Sequence, residues 1–195
     1  MALLRLALRS LLVLLSGACL AASTGFVCAA EPDSSAPAAA TRTRPEKIPP
    51  PLSRYKGRQI AQTMHYTGAP WLVRDSRQRE EDCQLLLEAL NLQPGQTVCD
   101  MGCGNGFYTL QMAQLVGPTG RVFAIDVQSE MLHMLAERAR EAGLKNIKPV
   151  LGTLVDPKLP PGEFDLILLV DVYHEFSHPE EMLGAMRQAL KPHGR

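Results

Sequence analysis

Along the second half of the chain, short continuous apolar runs alternate with stretches whose apolar positions recur every three or four residues. Thr97-Val-Cys-Asp-Met101 and Arg121-Val-Phe-Ala-Ile-Asp126 read as short buried strands, each holding an acid at or near its end. Ile147 to Leu151 is a third. Phe164-Asp-Leu-Ile-Leu-Leu-Val170 is continuously apolar after Asp165, as a parallel strand covered on both faces should be. Between these runs the spacing changes to that of helices. Cys83, Leu86, Leu87 and Leu90 fall at i, i+3, i+4 and i+7 of one helix, capped by Asp75 or Ser76, and Pro94-Gly95 turns the chain into the first strand. Phe107 to Val116 is a second helix, ended by Gly117-Pro118 and Gly120. A third runs from Ser129 as N-cap to about Ala142, buries Leu132, Leu135, Ala136 and Ala139, and stops at Gly143. Ser177, Pro179 and Glu180 open the last, with Met182, Leu183, Met186 and Leu190 on one face. Strands alternating with helices predict an α/β domain built on a doubly wound parallel sheet, from about Asp75 to Arg195.

The preceding residues follow other rules. Residues 1–30 contain no acid; Arg5 and Arg9 precede Leu11-Leu-Val-Leu-Leu15, and small residues continue to Cys28-Ala-Ala30. This is the pattern of a signal peptide, with cleavage expected after Ala30 and the product exported or periplasmic; an uncleaved anchor with the domain in the cytosol is the alternative. Residues 31–52, rich in Pro, Ala, Ser and Thr, read as a linker, and 53–195 as the domain. Tyr55 to Gly68 carries no clear period. Trp71, the only tryptophan, is expected to seal the end of the core or, as the family resemblance given below implies, to lie in a lid over the ligand site.

Charge narrows the choice of partners. With Arg5 and Arg9 set aside, Lys and Arg fall from 20 to 18 against 20 Asp and Glu, which disfavours nucleic acid. Cys83, Cys99 and Cys103 remain beyond residue 30, an odd number without metal-ligand spacing, so neither a disulfide framework nor a metal site is expected. That usage suits a reducing compartment and conflicts with an export signal.

The candidate chemistry lies between the first two strands. Asp100-x-Gly102-x-Gly104-x-Gly106 follows a strand and opens a helix, so backbone N–H groups and the helix's positive end are expected to face a ligand. In a dinucleotide fingerprint the third glycine would fall on Phe107, which disfavours a nicotinamide-dependent oxidoreductase. Acid, alternating glycines and a second strand-terminal acid at Asp126 together resemble motif I and its sequel in the class I S-adenosylmethionine (SAM)-dependent methyltransferases.

The resemblance covers roughly residues 66–195 and implies a Rossmann-like fold, of whose seven strands this sequence supplies four. It implies an incomplete C-terminus, since Leu190-Lys-Pro-His-Gly-Arg195 stands where such proteins turn into a fifth strand, with the fourth left as an open edge. By position in the motif, Asp100, Gly102, Cys103, Gly104 and Gly106 correspond to the methionine pocket of SAM. Asp126 corresponds to the acceptor for the two ribose hydroxyls, its other reading being a helix N-cap, and Val127 to the residue packed on adenine. Thr153 stands where the family often has an acid on the adenine edge; Asp156 either replaces it or forms an ordinary Asp-Pro turn.

Asp171-Val-Tyr-His-Glu-Phe176 follows the fourth strand at the carboxyl edge, where open α/β sheets bind ligands. It resembles the corresponding segment of small-molecule methyltransferases, and Asp171 is grouped with the cofactor-binding residues. His174 is the candidate general base, on the strength of an ordinary pKa near neutrality; its alternative is a bond to loop backbone. Glu175 would pair with it only in an irregular loop. The expected activity is methyl transfer from SAM to a small-molecule acceptor, with a non-catalytic SAM-fold binding module as the second reading. Membrane contact is expected only through residues 1–30, if uncleaved.

Overall fold

The computed structural model describes residues 48–195. The signal-peptide reading of residues 1–30 and most of the linker lie outside these residues. The chain is already docked at Pro49, whose carbonyl accepts from His178 Nε2 at 2.8 Å, and at Leu52, whose N–H donates to the Ser177 carbonyl at 3.0 Å.

Two short strands, β1 (Arg54–Tyr55) and β2 (Arg58–Gln59), form an antiparallel hairpin where the sequence shows no period. A 3₁₀ segment, Tyr66–Val73, leads to helices α1 (Arg77–Glu81) and α2 (Cys83–Leu90). The single helix expected here is broken at Asp82, which takes φ 48° and ψ 51°. Asp tolerates that left-handed turn better than most residues, and its carboxylate accepts from the Leu85 N–H at 3.4 Å to start the second helix.

Strand β3 (Thr97–Met101), helix α3 (Phe107–Val116), strand β4 (Arg121–Asp126), helix α4 (Ser129–Glu141) and strand β5 (Ile147–Leu151) then follow. Strand β6 (Leu166–Leu169) and helix α5 (Pro179–Ala189) complete the order. The four longer strands form one parallel sheet in the order β5-β4-β3-β6. Pro149 lies in β5, at the end of this order, where a missing N–H is tolerated. The expected fourth strand is shortened to its middle, and the chain beyond α5 lies along it. Lys191 N–H donates to Phe164 O, Ile167 N–H to Arg195 O and Arg195 N–H to Asp165 O.

Alternation along the strands sorts the core into two layers. Val98, Val122, Leu166 and Leu168 pack with α2 and α3, and Ala124 packs with Leu132 and Leu135 of α4. Cys99, Met101, Phe123 and Ile125 face Met182, Met186 and Ala189 of α5. The chain winds outward from β3 through β4 to β5, then returns across the sheet to enter β6 on β3's other side. That reversal opens a crevice at the carboxyl ends of β3 and β6, the place where doubly wound sheets take ligands.

Candidate functional site

One pocket occupies that crevice, enclosing about 1020 Å³ of atom-free space with its open mouth included. Its floor is Asp100 to Gly104 at the end of β3. Asp126, Val127 and Gln128 form one side after β4, joined by Thr153 and Leu154 beyond β5. Val170, Asp171, Val172, Glu175 and Phe176 form the other side after β6.

The glycine loop is held by its own fold. Gly102 and Cys103 N–H groups both donate to the Ile125 carbonyl, at 2.8 and 2.9 Å, and Gly106 N–H donates to Cys103 O at 2.9 Å. Gly104 N–H donates to Asp126 Oδ2 at 2.9 Å. These N–H groups are therefore engaged within the protein rather than offered to a ligand, contrary to the expectation from sequence. Gly102 has φ 70°, and a Cβ there would lie 2.3 Å from Val172 Cγ2, so this glycine lets the loop after β6 close on the loop after β3. Gly106 does not line the pocket. It has φ 84°, and a Cβ would meet Leu135 Cδ1 at 2.1 Å, which makes it the packing contact between the loop and α4.

The start of α3 is likewise already served. Asp100 is buried, and its carboxylate accepts from Thr109 Oγ1 at 2.5 Å and from the Thr109 N–H. An acid at a helix N-terminus takes the position an anion would need. Burial pushes the Asp100 carboxyl up to about 6; the Thr109 bonds oppose that rise, and the charge of Asp126 adds to it. Asp126 is also buried, and burial raises its pKa against N–H bonds from Gln128, Gly104 and Val127. Its two oxygens accept from Gln128 N–H and Gly104 N–H, each at 2.9 Å, so its carboxylate braces both rims while lining the pocket. The N-cap of α4 is Gln128, and Ser129 is the first helical residue. Cys103 lines the pocket with its thiol pushed well up by burial, so it stays neutral.

The remaining expected residues are distributed unevenly. Val127 lines the pocket and is partly exposed. Thr153 lines it too, but its hydroxyl accepts from Asp156 N–H at 2.9 Å, and Asp156 Oδ1 accepts from Lys158 N–H at 2.7 Å. Asp156 is thus the turn residue of its alternative reading. Asp171 lines the pocket at φ 51°. His174, the candidate base, is not brought into the lining: its side chain is 48% exposed. Residues Tyr173–Glu175 form a 3₁₀ turn, which directs Glu175 inward instead and leaves its Oε1 4.0 Å from His174 Nε2. Trp71 is exposed at 61% with Arg74 stacked 3.9 Å over its ring, so it does not seal the core.

Residues that sequence reasoning passed over complete the site. Arg77 is 5% exposed and lines the pocket, with its guanidinium 4.3 Å from the Phe107 ring centroid. Nε donates to Glu81 at 2.8 Å and Nη1 to Leu72 O at 2.7 Å, whereas Nη2 has no acceptor among the described residues. A strap from Ala61 to Val73 crosses the mouth. Ala61 N–H donates to His174 O at 2.9 Å, and Met64 N–H to Glu175 Oε1 at 3.3 Å. The Gln128 amide donates to Met64 O and accepts from Tyr66 N–H, at 2.9 and 2.8 Å.

Among the pocket's ionisable groups, four acids (Asp100, Asp126, Asp171 and Glu175) thus face one guanidinium. Such a set suits a ligand rich in positive charge and hydroxyls that carries a single carboxylate. It does not suit a pyrophosphate.

Comparison with known proteins agrees with this geometry. The family model described as a methyltransferase domain matches residues 92–195. A SAM-dependent methyltransferase of Aquifex aeolicus superposes with a TM-score of 0.63 at 32% identity, covering 67% of this chain and 69% of that one. Nocamycin O-methyltransferase of Saccharothrix syringae is 33% identical over 110 residues, covering 56% of this chain and 39% of its own length. The ubiquinone/menaquinone biosynthesis C-methyltransferase UbiE of Ectopseudomonas mendocina is 31% identical over 110 residues, covering 56% and 43%. The chain therefore spans about two fifths of these curated relatives. The loop, the strand-terminal acids and these matches together place the chain in the class I SAM-dependent methyltransferase domain family.

Proposed function

We propose that this protein transfers a methyl group from SAM to a small-molecule acceptor. The observation that carries the reading is the charge pattern of the switch-point pocket: a carboxylate at the end of each of two adjacent strands, and one buried arginine. SAM supplies an electrophilic methyl group on a sulfonium, together with an ammonium, a carboxylate and a ribose diol. Asp126 holds the two ribose hydroxyls, since a carboxylate keeps lone pairs free after accepting two N–H bonds. Val127 packs on the adenine, with Thr153 at its edge. Asp100, Asp171 and the backbone from Gly102 to Gly104 surround the methionine part, and Asp100 favours its ammonium. Arg77 Nη2 takes the carboxylate, pairing a buried guanidinium with a planar anion.

Displacement at a sulfonium needs in-line positioning and exclusion of water more than acid–base chemistry. The strap and the apolar walls, Met101, Val172, Phe176 and Met182 among them, supply that exclusion. The acceptor's nucleophilic atom bonds the methyl carbon while the carbon–sulfur bond breaks with its electron pair left on sulfur, and the acceptor then loses a proton.

Calorimetric titration of the 195-residue chain with SAM, S-adenosylhomocysteine (SAH) and NADH tests the cofactor assignment. One-site binding of the first two without the third is expected; no affinity for SAM or SAH would overturn it. Label transfer from methyl-tritiated SAM to a panel of phenols, amines and quinols then tests turnover and separates an enzyme from a binding module.

A further inference from the structure

We infer that Glu175 is the recognition group of the acceptor compartment and selects a largely apolar acceptor bearing an amine or hydroxyl. The inference rests on the proposed SAM reading and names the acceptor class for the same pocket. Its basis is the contrast between Glu175 and its surroundings. Around the β6 side, apart from Asp171, which is assigned above to the methionine part of the cofactor, and Ser177, the lining is Met64, Met101, Val170, Val172, Phe176 and Met182, a wall with little to offer a polar substrate. Into that wall the turn at Tyr173–Glu175 sets one carboxylate, 16% exposed at its side chain.

The protein leaves this carboxylate under-served. Met64 N–H reaches Oε1 at 3.3 Å, a long bond, and the Thr63 hydroxyl is the other near donor. His174 Nε2 is 4.0 Å away, beyond hydrogen-bond reach. A carboxylate has about four lone-pair sites, so acceptor capacity remains. Burial raises the Glu175 pKa, as expected of a charge short of partners. An acceptor N–H or O–H supplies the missing bond, whereas an anionic acceptor meets repulsion from Glu175, Asp126 and Asp171. A site built to pair a polar group discriminates strongly against analogues that lack it.

The test uses the full chain saturated with SAH and three probes of one size: phenethylamine, 2-phenylethanol and 3-phenylpropionate. Calorimetry is expected to rank the amine first, the alcohol second and the acid at least about tenfold weaker than the amine. Glu175→Gln should lower the amine's affinity about tenfold and leave SAH affinity within about twofold, while His174→Ala moves neither. Equal binding of acid and amine by the wild-type chain would overturn the inference, and that comparison does not depend on any variant folding. So would an unchanged amine affinity in Glu175→Gln, or a loss of SAH binding there, which would move Glu175 to the cofactor side. Failure of the wild-type chain to bind SAH would overturn the cofactor reading together with this inference. SAH binding without the amine preference overturns this inference alone.

Discussion

At the ends of β3 and β4 the pocket is built by a loop that satisfies itself. Gly102, Cys103, Gly104 and Gly106 all donate their N–H groups inside the protein, and Asp100 and Asp126 are each fixed by two or more donors. Beyond β6 it is built from side chains on and around a 3₁₀ turn, where Asp171 and the weakly held Glu175 stand among Val170, Val172, Phe176 and Met182. The first region is rigid before any ligand arrives and fits a ligand of fixed shape. The second meets the pocket through side chains, which can be changed one or two at a time.

The comparison breaks first at Gly106. Gly106→Ala forces a Cβ against Leu135 at positive φ, and urea unfolding should show a loss of about 3 kcal/mol. Alanine in place of Tyr173, His174 or Glu175 should cost well under half as much. Asp100 sharpens the contrast through pH. Its native pKa of about 6 lies above the ordinary carboxylate value, so between about pH 4 and 6 the folded state holds more protons than the unfolded. Its contribution therefore falls as pH rises through that window, by up to roughly 3 kcal/mol, and unfolding of wild type against Asp100→Asn across it should recover that slope. Ammonium binding opposes the trend, so SAH affinity should rise as pH increases through about 6.

Asp126→Ala should weaken SAH about a hundredfold by calorimetry, two charge-assisted bonds being removed. Arg77→Ala should weaken SAH about tenfold and leave 5′-methylthioadenosine, which has no amino-acid part, unaffected. An equal loss for both ligands would make Arg77 a scaffold residue instead. His174→Ala should change SAH affinity less than twofold, the smallest effect of the set.

Local features were legible from the chain, and long-range ones were not. Asp100 and the alternating glycines lie within one strand–turn–helix unit, where spacing fixes geometry, and Asp126 ends the strand that follows it. So do the four parallel strands, whose apolar runs carry their own burial signal. Arg77 was hidden in the polar run from Arg74 to Asp82, which reads as a solvated face until Asp82 breaks the helix and the short α1 turns Arg77 inward. His174 looked more suitable than Glu175 by intrinsic acidity, but a three-residue turn reversed which of the two faces the pocket. The strap carries no apolar period because its contacts are backbone bonds to residues far along the chain.

Gln128 has a consequence of its own. Its main-chain N–H braces Asp126, the acid proposed to hold the ribose, while its amide clasps Met64 and Tyr66, so one residue joins the proposed ligand grip to the strap. Deuterium uptake at Tyr66 should therefore slow when nucleoside is added, and in Gln128→Ala that link between occupancy and protection should be severed.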